Sequence, residues 1–188
     1  MMKNTDKYYL DNDPALYAVR DKTRDLVWEI NNLKPSMNEK RMELFEELLG
    51  EMGEGVFIEA PFSCDIGKNI SFGDHSYAAM NLSVLDCAPV KIGKRVLIGP
   101  NVAIYTIGHA LDAKERAEGY VCSDAVEIED DVWIGGSAVI LKGVKIGKGS
   151  VIGAGSVVTK DIPEGVIAVG NPCKVVRRIT DEDRIKRI

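Results

Sequence analysis

His75 and His109 are the only two histidines of this 188-residue chain, and so the only side chains whose ordinary pKa suits proton transfer near neutrality. Two are too few for a three-histidine zinc site. The sequence also holds no HExxH, GxSxG, Walker or GxGxxG pattern, so no metal is expected. The four cysteines (Cys64, Cys87, Cys122, Cys173) are scattered without CxxC spacing, which predicts free thiols in a reducing cytoplasm. What remains is general-base chemistry, an imidazole taking a proton from a hydroxyl. His109 is the candidate because it lies in the one long interruption of an otherwise regular sequence, whereas His75 sits inside a regular unit. A second chemical feature is the C-terminal basic cluster of Lys174, Arg177, Arg178, Arg184, Lys186 and Arg187 in a chain of net charge −5. Such a cluster suits a solvated face or a ligand bearing phosphates.

The regular units that must carry these groups are hexads. An aliphatic or aromatic residue followed by glycine recurs at Ile66, Phe72, Ile92, Ile98, Ile134, Ile146 and Ile152, while Ala78, Val84, Ile104, Ile128, Ile140 and Val158 keep the count without glycine. This period predicts an all-β solenoid, a parallel β-helix in which three hexads make one coil and each coil buries its core against its neighbours. The glycines are expected to supply backbone angles at sharp corners. Two breaks interrupt the period. Val84 and Ile92 are eight residues apart around Cys87-Ala88-Pro89. Residues 106–125 lack hexad text altogether and read as a loop extruded from the coil, and function concentrates on loops held by rigid scaffolds.

Residues 1–54 have a different texture and form a helical N-terminal cap ahead of the β-helix of residues 55–188 with its basic tail. Leu16, Val19, Leu26, Val27, Ile30 and Leu33 recur near helical spacing, which predicts an amphipathic helix over 13–32 with Pro14 in its first turn behind Asp13. Ser36-Met37-Asn38-Glu39 reads as a capping box opening a second helix with Met42, Phe45, Leu48, Leu49 and Met52 on one face. The two helices suit the covering of one open end of the solenoid. A pI near 5.2 argues against nucleic-acid or anionic-membrane partners, and no apolar run approaches the ~20 residues of a membrane helix. A cytoplasmic protein is expected.

The stretches APFSCDIGKNISFGDHSY, VLDCAPVKIGKRVLIGPNVAIYTIGHALDAKER, VWIGGSAVILKGVKIGKGSVIGAGSVVTKDIP and AVGNPCKVVRRI closely resemble the maltose/galactoside O-acetyltransferase family, hexapeptide-repeat sugar O-acetyltransferases that include nodulation-type members. The resemblance runs from about Tyr9 to Ile179. It implies a left-handed β-helix, a homotrimer with active sites between neighbouring subunits, and acetyl-CoA as acetyl donor. His109 in TIGH matches the catalytic histidine. Asp11, Asp65, Asn81 and Asp86 match acceptor-contacting positions. Trp133, Gly136, Ala154, Thr159 and Lys160 match the coenzyme A path, and Lys174 and Arg177 are placed to meet its nucleotide phosphates. Departures from the family pattern cluster around the acceptor, at Ile66, Ala79, Cys87, Tyr120 and Ala125, while the donor motifs are intact. The resemblance therefore implies transfer from acetyl-CoA to a sugar or glycoside hydroxyl. A non-sugar acceptor (an amino sugar or a hydroxyl-bearing antibiotic) and a non-catalytic trimeric scaffold stay open as alternatives.

Overall fold

The computed structural model of the protein describes residues 7–185. A short strand β1 (Tyr9–Leu10) precedes two helices, α1 (Pro14–Asn32) and α2 (Asn38–Leu48). Asp13 caps α1 by accepting the N–H of Ala15 at 2.9 Å, and Pro14 follows in the first turn, where its missing N–H costs nothing. The capping box expected at Ser36 does not form. The second helix starts two residues later, and its N-cap, Met37, makes no side-chain cap bond. Buried Arg41 takes over the junction, donating to the carbonyls of Ile30, Leu33 and Lys34 and to Asn38 Oδ1. Ile30 and Leu33 carry carbonyls at the end of α1, where the helix offers no further N–H, and a guanidinium satisfies several such acceptors at a time.

From residue 51 the chain winds as a left-handed parallel β-helix of about six turns. The first coil is β2 (Glu51–Met52), β3 (Phe57–Ile58) and β4 (Phe62–Cys64), and the second β5 (Ile70–Phe72), β6 (Tyr77–Ala78) and β7 (Leu82–Leu85). The third coil is β8 (Val90–Ile92), β9 (Leu97–Ile98) and β10 (Ala103–Tyr105). Then the chain leaves the prism through β11 (Ile107–His109), α3 (Ala113–Ala117) and β12 (Tyr120–Ser123). It returns as β13 (Val126–Ile128), β14 (Trp133–Ile134) and β15 (Val139–Ile140), followed by β16 (Lys145–Ile146), β17 (Val151–Ile152) and β18 (Val157–Val158). The sixth coil holds β19 (Val166–Val169), on which β20 (Lys174–Arg178) folds back antiparallel. Equivalent strands stack into three sheets: a first of β2, β5, β8, β13 and β16, a second running from β3 to β20, and a third of β4, β7, β10, β15 and β18.

The hexad positions form registered ladders inside the prism. Ile58, Ala78, Ile98, Ile134, Ile152 and Ala168 line the second sheet, each at most 1% exposed. Cys64, Val84, Ile104, Ile140 and Val158 line the third. Burying one such aliphatic chain contributes roughly 1.5–3 kcal/mol, so the repeat itself is the main stabilising term. The first beat is corrected: the interior residue of the third sheet in coil one is Cys64, and Ile66 lies half-buried in the corner that follows.

The role expected for the hexad glycines is also corrected. Gly67 alone of them is left-handed, at φ 81°; in the regular hexads the left-handed backbone falls two residues after the glycine, at His75, Arg95, Asn101 and Ser137 among others. The glycine proper is required by close approach: a Cβ on Gly135 would stand 2.5 Å from the Ala154 nitrogen in the next coil. Coils stack at a strand spacing of about 4.8 Å, and a side chain at that corner would hold them apart.

Candidate functional site

The edge of the prism between the third and first sheets is where the hexad count fails, three coils in a row. Cys64 to Phe72 and Val84 to Ile92 are eight-residue steps, and after Ile104 the whole β11–β12 excursion is inserted. The three widened corners are latched layer to layer by buried polar side chains. Asp86, fully buried, accepts the N–H groups of Asp65 and Ile66 on Oδ1 at 3.0 and 2.8 Å. Thr106, also fully buried, accepts the N–H of Ala88 at 2.9 Å and donates to the Leu85 carbonyl at 2.7 Å. Asn69 donates to the Asp86 carbonyl at 2.7 Å. Widening a corner removes ladder hydrogen bonds, and these side chains restore them. Oδ2 of Asp86 has no hydrogen-bond partner among the described residues, and burial pushes its carboxyl above the usual range despite the backbone donors. Asp86 was expected on the acceptor surface; its burial moves it to the layer behind.

Asp11 and Asp65, far apart in sequence, do come together. The agent is Arg20, whose side chain is 9% exposed. Its Nε and Nη2 donate to Asp65 Oδ2 at 2.9 and 2.8 Å, and its Nη1 reaches both oxygens of Asp11 at 3.2 Å. Burial works to lower the guanidinium pKa, and the hydrogen bonds to Asp65 and Asp11 more than reverse it, so Arg20 stays charged. Cys87 Sγ lies 3.3 Å from the same Asp65 oxygen, and burial and that carboxylate push its thiol up to about 12, a neutral donor and not a nucleophile. Arg20 escapes a reading of the sequence by apolar residues alone. Its signal is present, because Leu16, Arg20, Thr23, Val27 and Ile30 form the inward stripe of α1, with two polar residues where apolar ones belong. Val19, expected on the apolar face, is exposed.

His109 ends β11. The excursion, expected as an irregular loop, is a β-hairpin because its strands satisfy each other: His109 pairs with Val121 and Ile107 with Ser123. Asp112 caps the one-turn helix at its tip by accepting the N–H groups of Lys114 and Glu115. The other edge of β12 takes β1, with Tyr9 opposite Val121 and Leu10 opposite Tyr120. His109, Val121 and Tyr9 thus stand in one row across three strands, and Tyr9 donates to Ser123 Oγ at 3.2 Å. Two residues after Tyr9 comes Asp11, whose N–H meets the Gly119 carbonyl. The imidazole is exposed, and His75 sits elsewhere, in a left-handed corner beside Gly55.

The remaining candidates divide between two edges. Thr159 and Lys160 lie on the same third-to-first edge, four coils from Asp65, about 19 Å along the axis at 4.8 Å per coil. Asn81, Gly136 and Ala154 lie on the second-to-third edge in coils two, four and five. Asn81 holds its corner by a side-chain bond to Asn101 at 3.0 Å, so a single chain does not bring it to Asp11 and Asp65. Gly136 keeps its backbone open because a Cβ there would press on the Pro100 carbonyl at 3.0 Å. Trp133 projects from the second sheet, 54% exposed. Lys174 is exposed on β20. Arg177, expected to be free for phosphates, is held in a forked pair with Asp183 at 2.6 and 2.8 Å, which keeps the Asp183 carboxyl far below the usual carboxylate range. Lys186 and Arg187 lie outside the described residues. No cluster of His, Cys, Asp and Glu that would hold a metal occurs among the described residues, nor does a helix long and apolar enough to cross a membrane. A groove on the first sheet, lined by Lys91, Glu127, Glu129 and Lys148, contains none of the candidate residues.

Residues 5–53 match the maltose acetyltransferase hexapeptide capping motif, and residues 125–160 match the bacterial transferase hexapeptide (six repeats). A Saccharomyces cerevisiae protein named provisionally as an acetyltransferase is 49% identical over 94% of this chain and 90% of its own length. Galactoside O-acetyltransferase of Escherichia coli is 42% identical over 95% of this chain and 88% of its own. Among solved structures, a hexapeptide-repeat-containing acetyltransferase of Vibrio cholerae complexed with acetyl coenzyme A superposes with a TM-score of 0.86 at 40% identity, over 90% of this chain and 91% of that one. With the hexad prism, its helical cap and the hairpin that carries His109, these likenesses agree on one family. The chain belongs to the maltose/galactoside O-acetyltransferase family of hexapeptide-repeat proteins.

Proposed function

We propose that the protein transfers the acetyl group of acetyl-CoA to a hydroxyl of a sugar or glycoside, with His109 as general base. The observation that carries the reading is the shared sheet of β1, β12 and β11, which ties the exposed imidazole to the segment bearing Asp11 and, through Arg20, to Asp65. Two carboxylates beside a hydroxyl-binding surface accept and orient O–H groups. A ring nitrogen of His109 takes the proton as the acceptor oxygen attacks the thioester carbonyl. The tetrahedral intermediate then collapses, the C–S bond breaks, and the imidazolium returns the proton to the departing thiolate. A backbone amide at the coil edge stabilises the oxyanion, and holding both substrates together supplies much of the remaining rate.

The donor is assigned to the last coils: Trp133, Gly136 and Ala154 toward the pantetheine, Thr159 and Lys160 beyond it, Lys174 and Arg177 toward the phosphates. A homotrimer follows from the same residues. The candidates of one chain sit on two prism edges, so one edge of a subunit and the other edge of its neighbour would complete a site. The apolar outer row of the second sheet, Phe57, Tyr77, Leu97, Trp133, Val151 and Ile167, supplies surface for such packing. A monomer by light scattering at micromolar concentration, active as such, would remove the shared site.

One observation favours a second reading. Two carboxylates share one guanidinium beside a neutral thiol, which leaves excess negative charge that an ammonium would also satisfy. Thiol release from acetyl-CoA, measured across glycosides, amino sugars and simple alcohols, separates the two. Turnover on neutral glycosides supports the sugar reading, turnover on amino sugars alone transfers it to them, and coenzyme A binding with no transfer leaves a scaffold.

A further inference from the structure

We infer that Arg20 is a positioning residue for the transfer: its forked guanidinium sets the geometry of Asp11 and Asp65 and holds the His109 hairpin against them, an inference that rests on the acceptor site proposed above.

Three features separate Arg20 from an ordinary buried ion pair. First, it serves two carboxylates from segments that share no secondary structure, one after β1 and one in the first widened corner. Second, it occupies one face of Asp65 only. Nε, Nη2 and the Cys87 thiol all converge on Oδ2, which leaves Oδ1 without a hydrogen-bond partner among the described residues, on a side chain still 18% exposed. Asp11 is likewise 25% exposed. The carboxylates are gripped from below and presented above. Third, the grip extends to the base. Tyr17, one turn before Arg20, donates to the Asp11 carbonyl at 3.1 Å, and its ring lies 6.0 Å from the Arg20 guanidinium carbon. Asp11 is therefore held by both side chain and backbone, two residues from Tyr9 in the row that ends at His109. Loss of the clasp would loosen Asp11 and, with it, the third strand that braces the hairpin.

A fork is essential to this arrangement. Guanidinium presents planar donors along fixed directions, so one group can bridge two carboxylates, whereas an ammonium is a point charge that follows one partner at a time. Thr23 is the natural comparison. It lies on the same inward stripe, is 5% exposed, and donates to the Ile66 carbonyl of the same corner at 2.9 Å, but it touches neither carboxylate.

The test uses the full-length protein with acetyl-CoA and the best acceptor found in the panel. Arg20→Lys is expected to raise KM for the acceptor about tenfold or more, as loss of charged hydrogen bonds does. KM for acetyl-CoA should stay within about twofold. Thr23→Val, a packing control, should lower the thermal midpoint without separating the two KM values. If Arg20→Lys does not fold, Tyr17→Phe releases the Asp11 carbonyl from the same clasp without altering either carboxylate and should give a smaller split in the same direction. Asp65→Asn distinguishes the two levels of the argument. If it raises the acceptor KM while Arg20→Lys and Tyr17→Phe do not, Arg20 is structural and the inference is overturned with the acceptor site intact. If Asp65→Asn leaves the acceptor KM unchanged, the acceptor site itself is misplaced and the inference falls with it. Equal rises in both KM values for Arg20→Lys also overturn it.

Discussion

Asp86 lies one coil above Asp65 and accepts its backbone N–H on Oδ1 at 3.0 Å, so a carboxylate that never reaches solvent shapes one that does. The same oxygen accepts the Ile66 N–H. Asp86→Ala should leave both amides without a partner, at a cost of about 1–3 kcal/mol each in the buried limit, whereas Asp86→Asn keeps an acceptor and should cost less. The pH dependence has a definite sign. Burial raises the folded-state pKa of Asp86 above its unfolded value, so its protonated form favours folding, and that contribution is lost as pH rises through the folded pKa. Thermal midpoints of wild type and Asp86→Asn, compared from pH 7 downward, should shift in favour of wild type as pH falls. A gap that moves the other way would contradict the burial.

His109→Ala removes the proposed base from the end of β11 while leaving the backbone pairing with Val121 in place. Turnover should fall by about 10²–10⁴ with acetyl-CoA affinity and thermal midpoint nearly unchanged. His75→Ala, at an exposed corner, should alter neither. Steady-state rates with saturating acetyl-CoA are enough, and a variant at position 109 as fast as wild type would end the mechanism.

Thr106 marks the point where the chain leaves the third coil. Its hydroxyl serves the Ala88 N–H and the Leu85 carbonyl at once, so Thr106→Val, nearly isosteric, should destabilise by about 1–3 kcal/mol. Thr106→Ser retains the hydroxyl and should recover most of it. Denaturant unfolding of the three proteins, with equal m-values, is the measurement. A Val variant as stable as wild type would show that the latch between the second and third coils is dispensable.

The Arg177–Asp183 pair restrains a charge assigned to coenzyme A phosphates. Asp183→Asn should free the guanidinium and lower KM for acetyl-CoA. Arg177→Ala should raise it only slightly, up to about fivefold, as exposed charges do, and the difference should shrink with added salt. Lys174→Ala should have the larger effect, because no ion pair with its ammonium is found among the described residues. Unchanged donor kinetics in Lys174→Ala at low salt would move the phosphates away from β20.

Much of the architecture is legible in residue order because a solenoid is built from local repeats. The hexads from Phe72 to Val158 state which residue faces inward every six positions, and neighbouring coils need no distant partner to confirm it. The excursion that carries His109 is likewise visible, as the place where the repeat stops. What the order of residues leaves out is everything that depends on stacking. Gly135 reads as a turn glycine until the Ala154 nitrogen is found where its Cβ would be, and the left-handed angle falls instead on Ser137. The step from Cys64 reads as a regular beat at Ile66, and the eight-residue step at Val84 as a lone irregularity, until the coils place both on one edge beneath the hairpin. Asp11 and Asp65 are matched to the acceptor by resemblance alone, with nothing in the residue order to join them, until Arg20, on the inward stripe of a helix, bridges the two. Asp86, indistinguishable from them in sequence, is buried by the corner below it. Repetition along the chain determines the scaffold, because each coil repeats the same short-range packing problem. The site belongs to the tertiary structure, because its charges meet only where a helix, a corner and a hairpin from three separate segments converge.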